Sequence, residues 1–168
     1  MTPNDSTTAN TAEREIVITR VIDAPREQVW KAWTDPAFVM RWWGAKDITA
    51  HSAKIDLRVG GKYVFCMHMP DGQDIWSSGV FREIVPVERL VFTDNFADEQ
   101  GNPVSGAEYG MGDNFPELLI TVLLDVVEGG KTKMTLRHTG FPTSPSDMVD
   151  LTRIGWEQSF DKMAEMLR

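Results

Sequence analysis

Six segments in a row between Ile48 and His138 read as β-strand, and a single long helical stripe follows them; few folds accommodate that order. Ile48 to Leu57 comes first. Lys62 to Met69 follows, with Tyr63, Phe65 and Met67 on one face and Val64, Cys66 and His68 on the other. Ile75 to Val85, Arg89 to Phe96, Leu118 to Val127 and Lys131 to His138 complete the run. Gly60-Gly61, Pro70-Asp-Gly72, Pro86 and Glu128-Gly-Gly130 mark the turns between them. Strands joined by turns this short pair antiparallel, with helices segregated to one face.

The flanks supply those helices. Glu15 to Ile22 is β-branched and reads as one more strand. After Asp23-Ala-Pro25, the apolar residues Val29, Trp30 and Trp33 have helical spacing. Asp35-Pro36 restarts the pattern as cap and first residue of a second short helix carrying Phe38, Val39, Trp42 and Trp43, and Gly44 stops it. Trp42 and Trp43 stand about 100° apart on a helix, so one of them is expected at a pocket entrance or partly exposed. At the C-terminus Ser144-Pro-Ser-Asp147 resembles a capping box, and Val149, Trp156, Phe160, Met163 and Leu167 form an apolar stripe opposite Asp150, Glu157, Asp161 and Glu165. A helix from Pro145 to Leu167 would be about 33 Å long. Only a face of the sheet offers it enough apolar surface. The expected fold is α+β: a curved antiparallel sheet wrapping a long C-terminal helix, with two short helices after the first strand and a cavity where helix and sheet part.

Composition bounds the rest. The 168 residues suit one domain, read as 13–168, preceded by a loose polar tail over 1–12 with no secretory pattern. A net charge of −8 with scattered Lys and Arg argues against nucleic acid and anionic membrane as partners. No run reaches the roughly 18 apolar residues of a membrane span. A single cysteine, Cys66, precludes an internal disulfide and fits a reducing compartment, so the cytoplasm is the expected location. Six Trp, eight Phe and nine Met hint at an apolar pocket, although ordinary cores use the same residues.

The run from Val21 to Pro36 (VIDAPREQVWKAWTDP) with Arg41-Trp-Trp-Gly44 resembles the start of the START-like (SRPBCC) superfamily, and within it the branch of the activator of heat-shock protein 90 ATPase. Val59 to Phe65, Gly79 to Pro86, Arg89 to Thr93 and Gly155-Trp156 resemble later parts of that pattern, in order, over nearly the whole chain. The resemblance implies the helix-grip (Bet v 1-like) fold. It also implies one of three roles: a carrier of a small hydrophobic molecule, a co-chaperone acting on a heat-shock chaperone in the stress response, or a cyclase-like enzyme. Where the branch usually has Trp after Leu-Val-Phe-Thr, this chain has Asp94. If Asp94 faces inward, the pocket has gained a carboxylate. The polar stretch 98–114, longer than the roughly 4–6 residues of an ordinary loop, is a candidate lid.

Three polar strand residues, Asp94, Glu83 and Arg82, are the candidates for acid–base or orienting work in a pocket, as an enzyme of the cyclase or hydrolase type would need. The plainer reading turns all three outward into water. Tyr63, Phe65, Met67, Trp76, Phe81, Phe92, Phe96, Trp156 and Phe160, with Asp94, either line a ligand cavity or fill a core, and spacing alone does not separate the two. Cys66 and His68 share a strand face, and His51 and His138 could join them as metal ligands, but none has zinc-site spacing. No metal is therefore expected; Cys66 reads as a buried thiol and the histidines as surface residues. No nucleophile elbow or P-loop is present, and no cofactor is implied. Monomer and homodimer remain open.

Overall fold

The computed structural model describes residues 15–110, 116–142 and 148–168. The N-terminal tail and the cap from Ser144 to Asp147 lie outside these residues. Strand β1 (Glu15–Ile22) leads into helices α1 (Arg26–Thr34) and α2 (Pro36–Trp42). Strands β2 (Thr49–Ile55), β3 (Lys62–His68), β4 (Asp74–Val85), β5 (Arg89–Ala97), β6 (Leu118–Val127) and β7 (Lys131–Thr139) follow, and α3 (Met148–Leu167) ends the chain. The seven strands form one antiparallel sheet in the order β1-β7-β6-β5-β4-β3-β2. β1 and β2 are consecutive strands on opposite edges, so the α1–α2 pair has to cross from one edge to the other. That crossing places both short helices on the concave side with α3. The architecture is the helix-grip fold.

Alternation builds the concave face. In β7 the buried residues are Thr132, Met134, Leu136 and His138, every second position. In β6 they are Leu118, Ile120, Val122 and Leu124. α3 answers with Trp156, Phe160 and Met163, the predicted stripe, while Asp150, Glu157, Asp161 and Glu165 are exposed. Each of these apolar side chains contributes roughly 1.5–3 kcal/mol by leaving water. Polar ties then hold α3 to β1 at one edge of the sheet and to the connection that leads into β2 at the other. Arg20 on β1 pairs with Asp161 at 2.6 Å and donates to the Glu157 carbonyl. On the other side Lys162 Nζ donates to the carbonyls of Ala45 and Ile48, and Gln158 accepts from the Lys46 amide.

Asp35 caps α2 as expected, accepting from the Ala37 amide at 2.9 Å with Pro36 first in the helix. The expectation for the Trp pair is not met, because the helix ends at Trp42. Trp43 is extended (φ −68°, ψ 126°), and this turns its ring back inward, so both rings are buried. Trp42 donates its indole N–H to the Ala32 carbonyl, and Trp43 packs edge-on against Phe65 at 4.8 Å and Trp156 at 5.4 Å. Trp33 sits among Trp42, Trp43, Phe92, Trp156 and Phe160, with ring centroids 4.7–6.4 Å away.

One glycine is required by this packing. Gly79 stands opposite Tyr63 in the β3–β4 ladder, and a Cβ there would meet the Thr93 carbonyl oxygen and the Tyr63 ring. The Tyr63 ring therefore lies across the bare backbone of β4 and reaches β5 with its hydroxyl. Gly79→Ala is expected to cost on the order of 2 kcal/mol through this overpacking. It should appear as a lower urea midpoint at unchanged slope, whereas an unchanged midpoint would mean that the β5 backbone at Thr93 and the Tyr63 ring both yield without cost and that the packing does not require this glycine.

Candidate functional site

Alternation in β5 puts Leu90, Phe92, Asp94 and Phe96 on one face, and Phe92 fixes that face as the concave one: it is 3% exposed and packs on Trp33, Tyr63 and Phe81. Asp94 therefore points inward, the sharper of the two expectations for it. It meets a residue expected on the surface. His138, 3% exposed, brings Nε2 to 3.1 Å from Asp94 Oδ2. The other ring nitrogen, Nδ1, lies 3.0 Å from the indole Nε1 of Trp156 on α3. On the far side Tyr63 donates its hydroxyl to the Thr93 carbonyl at 2.9 Å and stands 3.4 Å from Asp94 Oδ1.

The row Trp156–His138–Asp94–Tyr63 has only one consistent set of protons around the imidazole. An indole N–H can only donate, so His138 Nδ1 must accept. The single ring proton then sits on Nε2, aimed at the Asp94 carboxylate, and the imidazole is neutral. Both nitrogens are engaged, which makes His138 a positioning residue for Asp94. Burial, reinforced by the negative charge and hydrogen bond of Asp94, pushes the Tyr63 phenol well above its ordinary range and keeps it protonated.

Asp94 retains access that its neighbours lack: its side chain is 22% exposed against 4% for His138. Nearby on the concave face is Ser77, which the register sets opposite Phe65 and Phe96. Its Oγ is buried without a hydrogen-bond partner among the described residues. A buried hydroxyl left unpaired costs roughly 1–3 kcal/mol, which a bound polar atom would recover.

The remaining predicted residues divide. Tyr63, Phe65, Phe81, Phe92, Trp156 and Phe160 belong to the one hydrophobic core, with Met67 packed at its edge. Phe96 lies beyond Asp94, against Tyr109 at 5.8 Å. Trp76 does not reach this face: it pairs with Cys66 and Ala97 on the outer one. Glu83 and Arg82 are outside as well, paired with Arg89 at 2.8 Å and Glu117 at 3.6 Å. Strict alternation from Phe81 would have turned Glu83 inward. A bulge between Phe81 and Glu83 shifts the register by one residue, so Ile84 takes the place opposite Leu90 instead. Within the described part of the predicted lid, 98–110, Gly101 lies on the outer face and the Tyr109 ring lies against Phe96. Gly101 fits against Val64 with no room for a Cβ, and the Tyr109 hydroxyl bonds the Ala97 carbonyl and the Trp76 amide. Residues 111–114 lie outside the described residues. Cys66 is buried on the same outer face, where burial and the charges of Asp74 and Glu99 push its thiol up to about 11, far from reactive.

His138 had a legible signal. Thr132, Met134, Leu136 and His138 alternate with Lys131, Lys133, Thr135 and Arg137, which already sets His138 on the apolar side. The four metal candidates do not converge, since His138 is inside, Cys66 is on the outer face, and only His51 and His68 meet.

Two outcomes follow from the row. Long-range ¹⁵N–¹H spectra should find His138 as the Nε2–H tautomer. Trp156→Phe, which leaves Nδ1 buried without a donor, should cost roughly 1–3 kcal/mol; an Nδ1–H signal in the native protein would refute the assignment. In alkali, the unfolded chain loses the Tyr63 proton near pH 10 while the folded protein keeps it. The unfolded state then binds fewer protons, so the Tyr63 contribution is level below about pH 10 and is lost above it, adding to an earlier loss from Cys66, whose thiol is also raised in the fold. Urea midpoints measured between pH 8 and 11 should show that fall, and Tyr63→Phe should reduce its slope.

The sequence matches the family described as Activator of Hsp90 ATPase homolog 1-like protein over residues 23–168. The chain finds no match among curated proteins. Among solved structures, a protein from Arthrobacter aurescens is 27% identical, with a TM-score of 0.77 over 94% of this chain and 87% of that one. One from Chromobacterium violaceum is 26% identical, with a TM-score of 0.73 over 92% and 96%. The AHSA1 protein from Silicibacter pomeroyi, 19% identical with a TM-score of 0.70 over 91% and 96%, shares the fold. By the extent of the match, the chain belongs to the Activator of Hsp90 ATPase homolog 1-like family.

Proposed function

We propose that the protein binds a small amphipathic molecule between the sheet and α3, its apolar body against Phe65, Met67 and Phe96 and a hydrogen-bond-donating or cationic end at Asp94. The observation that carries this reading is the held but accessible carboxylate. Asp94 is oriented by His138 from one side, keeps free acceptor capacity, and stands diagonally across the β4–β5 ladder from Ser77, whose hydroxyl has no partner among the described residues. Because His138 has already committed both nitrogens, the site holds no free imidazole base, and this favours binding over turnover. A pocket that is mostly apolar with a few fixed polar groups is the usual form of a small-molecule site.

The co-chaperone role draws no comparable support. Exposed apolar residues on the outer face of β1 and β6, such as Val17, Val21 and Leu119, stand across from Arg137, Lys133 and Thr139, which breaks them up.

Native mass spectrometry of the purified protein, with thermal shifts against lipids, flavonoids, aromatic polyketides and apolar amines, tests the proposal. A retained small molecule, or a panel member that raises Tm with concentration, is expected. Asp94→Asn should remove most of the shift for amine ligands. An empty protein that nothing stabilises would overturn the reading and direct attention to pull-downs with a heat-shock ATPase.

A further inference from the structure

On the opposite face of the sheet, at its β2 edge, two histidines and a carboxylate come together without serving the core. His68 ends β3, and Asp74, which opens β4, stands directly opposite it; His68 Nδ1 and Asp74 Oδ1 are 2.7 Å apart. His51 arrives through an irregularity in the edge strand. In an unbroken ladder it would face Cys66, but Ser52 takes that place and His51 is left as the extra, unpaired residue of a bulge. Its ring lies flat on that of His68, with centroids 4.2 Å apart and planes within 7°. One ligand atom from each of His51, His68 and Asp74 lies within 4.8 Å of the other two.

We propose that His51, His68 and Asp74 form a binding site for a borderline divalent transition ion of the Zn²⁺, Ni²⁺ or Cu²⁺ class. The donor set is the one such ions prefer, two imidazoles and a carboxylate, and it leaves room for water. Asp74 and the net charge of −8 supply the anionic field that favours a cation there. Ligand atoms about 2.0–2.1 Å from one ion stand roughly 3.3 Å from each other, so the 2.7 Å His68–Asp74 contact has to open slightly while the widest spacing in the cluster closes. The parallel planes also direct the two imidazole lone pairs side by side, so one ring must turn to meet the ion. All three side chains can make that adjustment, because His51 and Asp74 are exposed and His68 is 37% exposed. β3 and β4 fix the backbone of His68 and Asp74, and the bulge gives His51 its place, so only side-chain torsions change.

Calorimetric titration of the full chain with Zn²⁺ and Ni²⁺ in a non-coordinating buffer, with Cu²⁺ followed by electron paramagnetic resonance, tests the site. One ion per chain is expected, with hyperfine structure from two nitrogens in the Cu²⁺ spectrum. His51→Gln and His68→Gln should each weaken binding by about tenfold or more, and Asp74→Asn by a smaller factor. These residues lie outside the core, so Tm without metal should be unchanged in all three variants, which separates loss of a ligand from loss of fold. The proposal is overturned if the His51→Gln/His68→Gln double variant binds as the native protein does, or if the native protein binds no ion at millimolar concentration.

Discussion

An indole N–H has one proton to give and no lone pair to accept with, and the polar arrangement inside this protein follows from that asymmetry. Trp156 is held in place by the core, where its ring packs on Trp33, Trp43 and Phe160. Its N–H fixes the acceptor side of His138, and the imidazole presents its remaining proton to Asp94. On the other side of the carboxylate, Tyr63 keeps its proton because it is buried beside a negative charge, and it reaches β5 only because Gly79 has no side chain. Helix packing and the polar row are therefore one construction: the residue that docks α3 also sets the protonation of a group on β7.

The sheet, the order of its strands along the chain and the face of α3 were legible in the sequence, because each rests on a simple period. Where the period breaks, so does the reading. The bulge after Phe81 removes Glu83 from the concave side, and no residue type in Arg82-Glu83 announces it. Trp43 was misplaced for a similar reason, since the helix that would have turned it away stops one residue earlier. His51 and His68 meet only because a second bulge displaces the edge strand. His138 is a different case: the alternation of β7 put it inside, and only the habit of treating a lone histidine as a surface residue hid it.

The aromatic residues posed a choice between cavity and core, and the structure divides them. Rings from Trp33 to Phe160 touch one another in a continuous cluster, so most of the set is core in the ordinary sense. What remains for a ligand is the rim, where Ser77, Asp94 and Phe96 follow one another across β4 and β5. The 98–110 segment is fastened beside that rim, with Gly101 on Val64, the Tyr109 ring on Phe96 and its hydroxyl bonded to the ends of β4 and β5.

The position of Asp94 along β5 explains how the fold tolerates a carboxylate there. It is the last β5 residue to pair with β6; beyond it, β5 bonds its own connection through Ala97 and Pro103 and through the Phe96 carbonyl and the Val104 amide. Two residues earlier, at Phe92, the same carboxylate would be enclosed by rings, and an ionised group without a countercharge in such a place costs several kcal/mol or neutralises itself. Two residues later, at Phe96, it would lie beyond the reach of His138. At Asp94 the group is deep enough to accept a fixed N–H and shallow enough to keep water or a ligand on its free edge. Hydrogen bonding and hydration thus restrict an acidic residue on this face to a narrow band of the strand, and the chain places its one concave-face carboxylate of β5 inside that band.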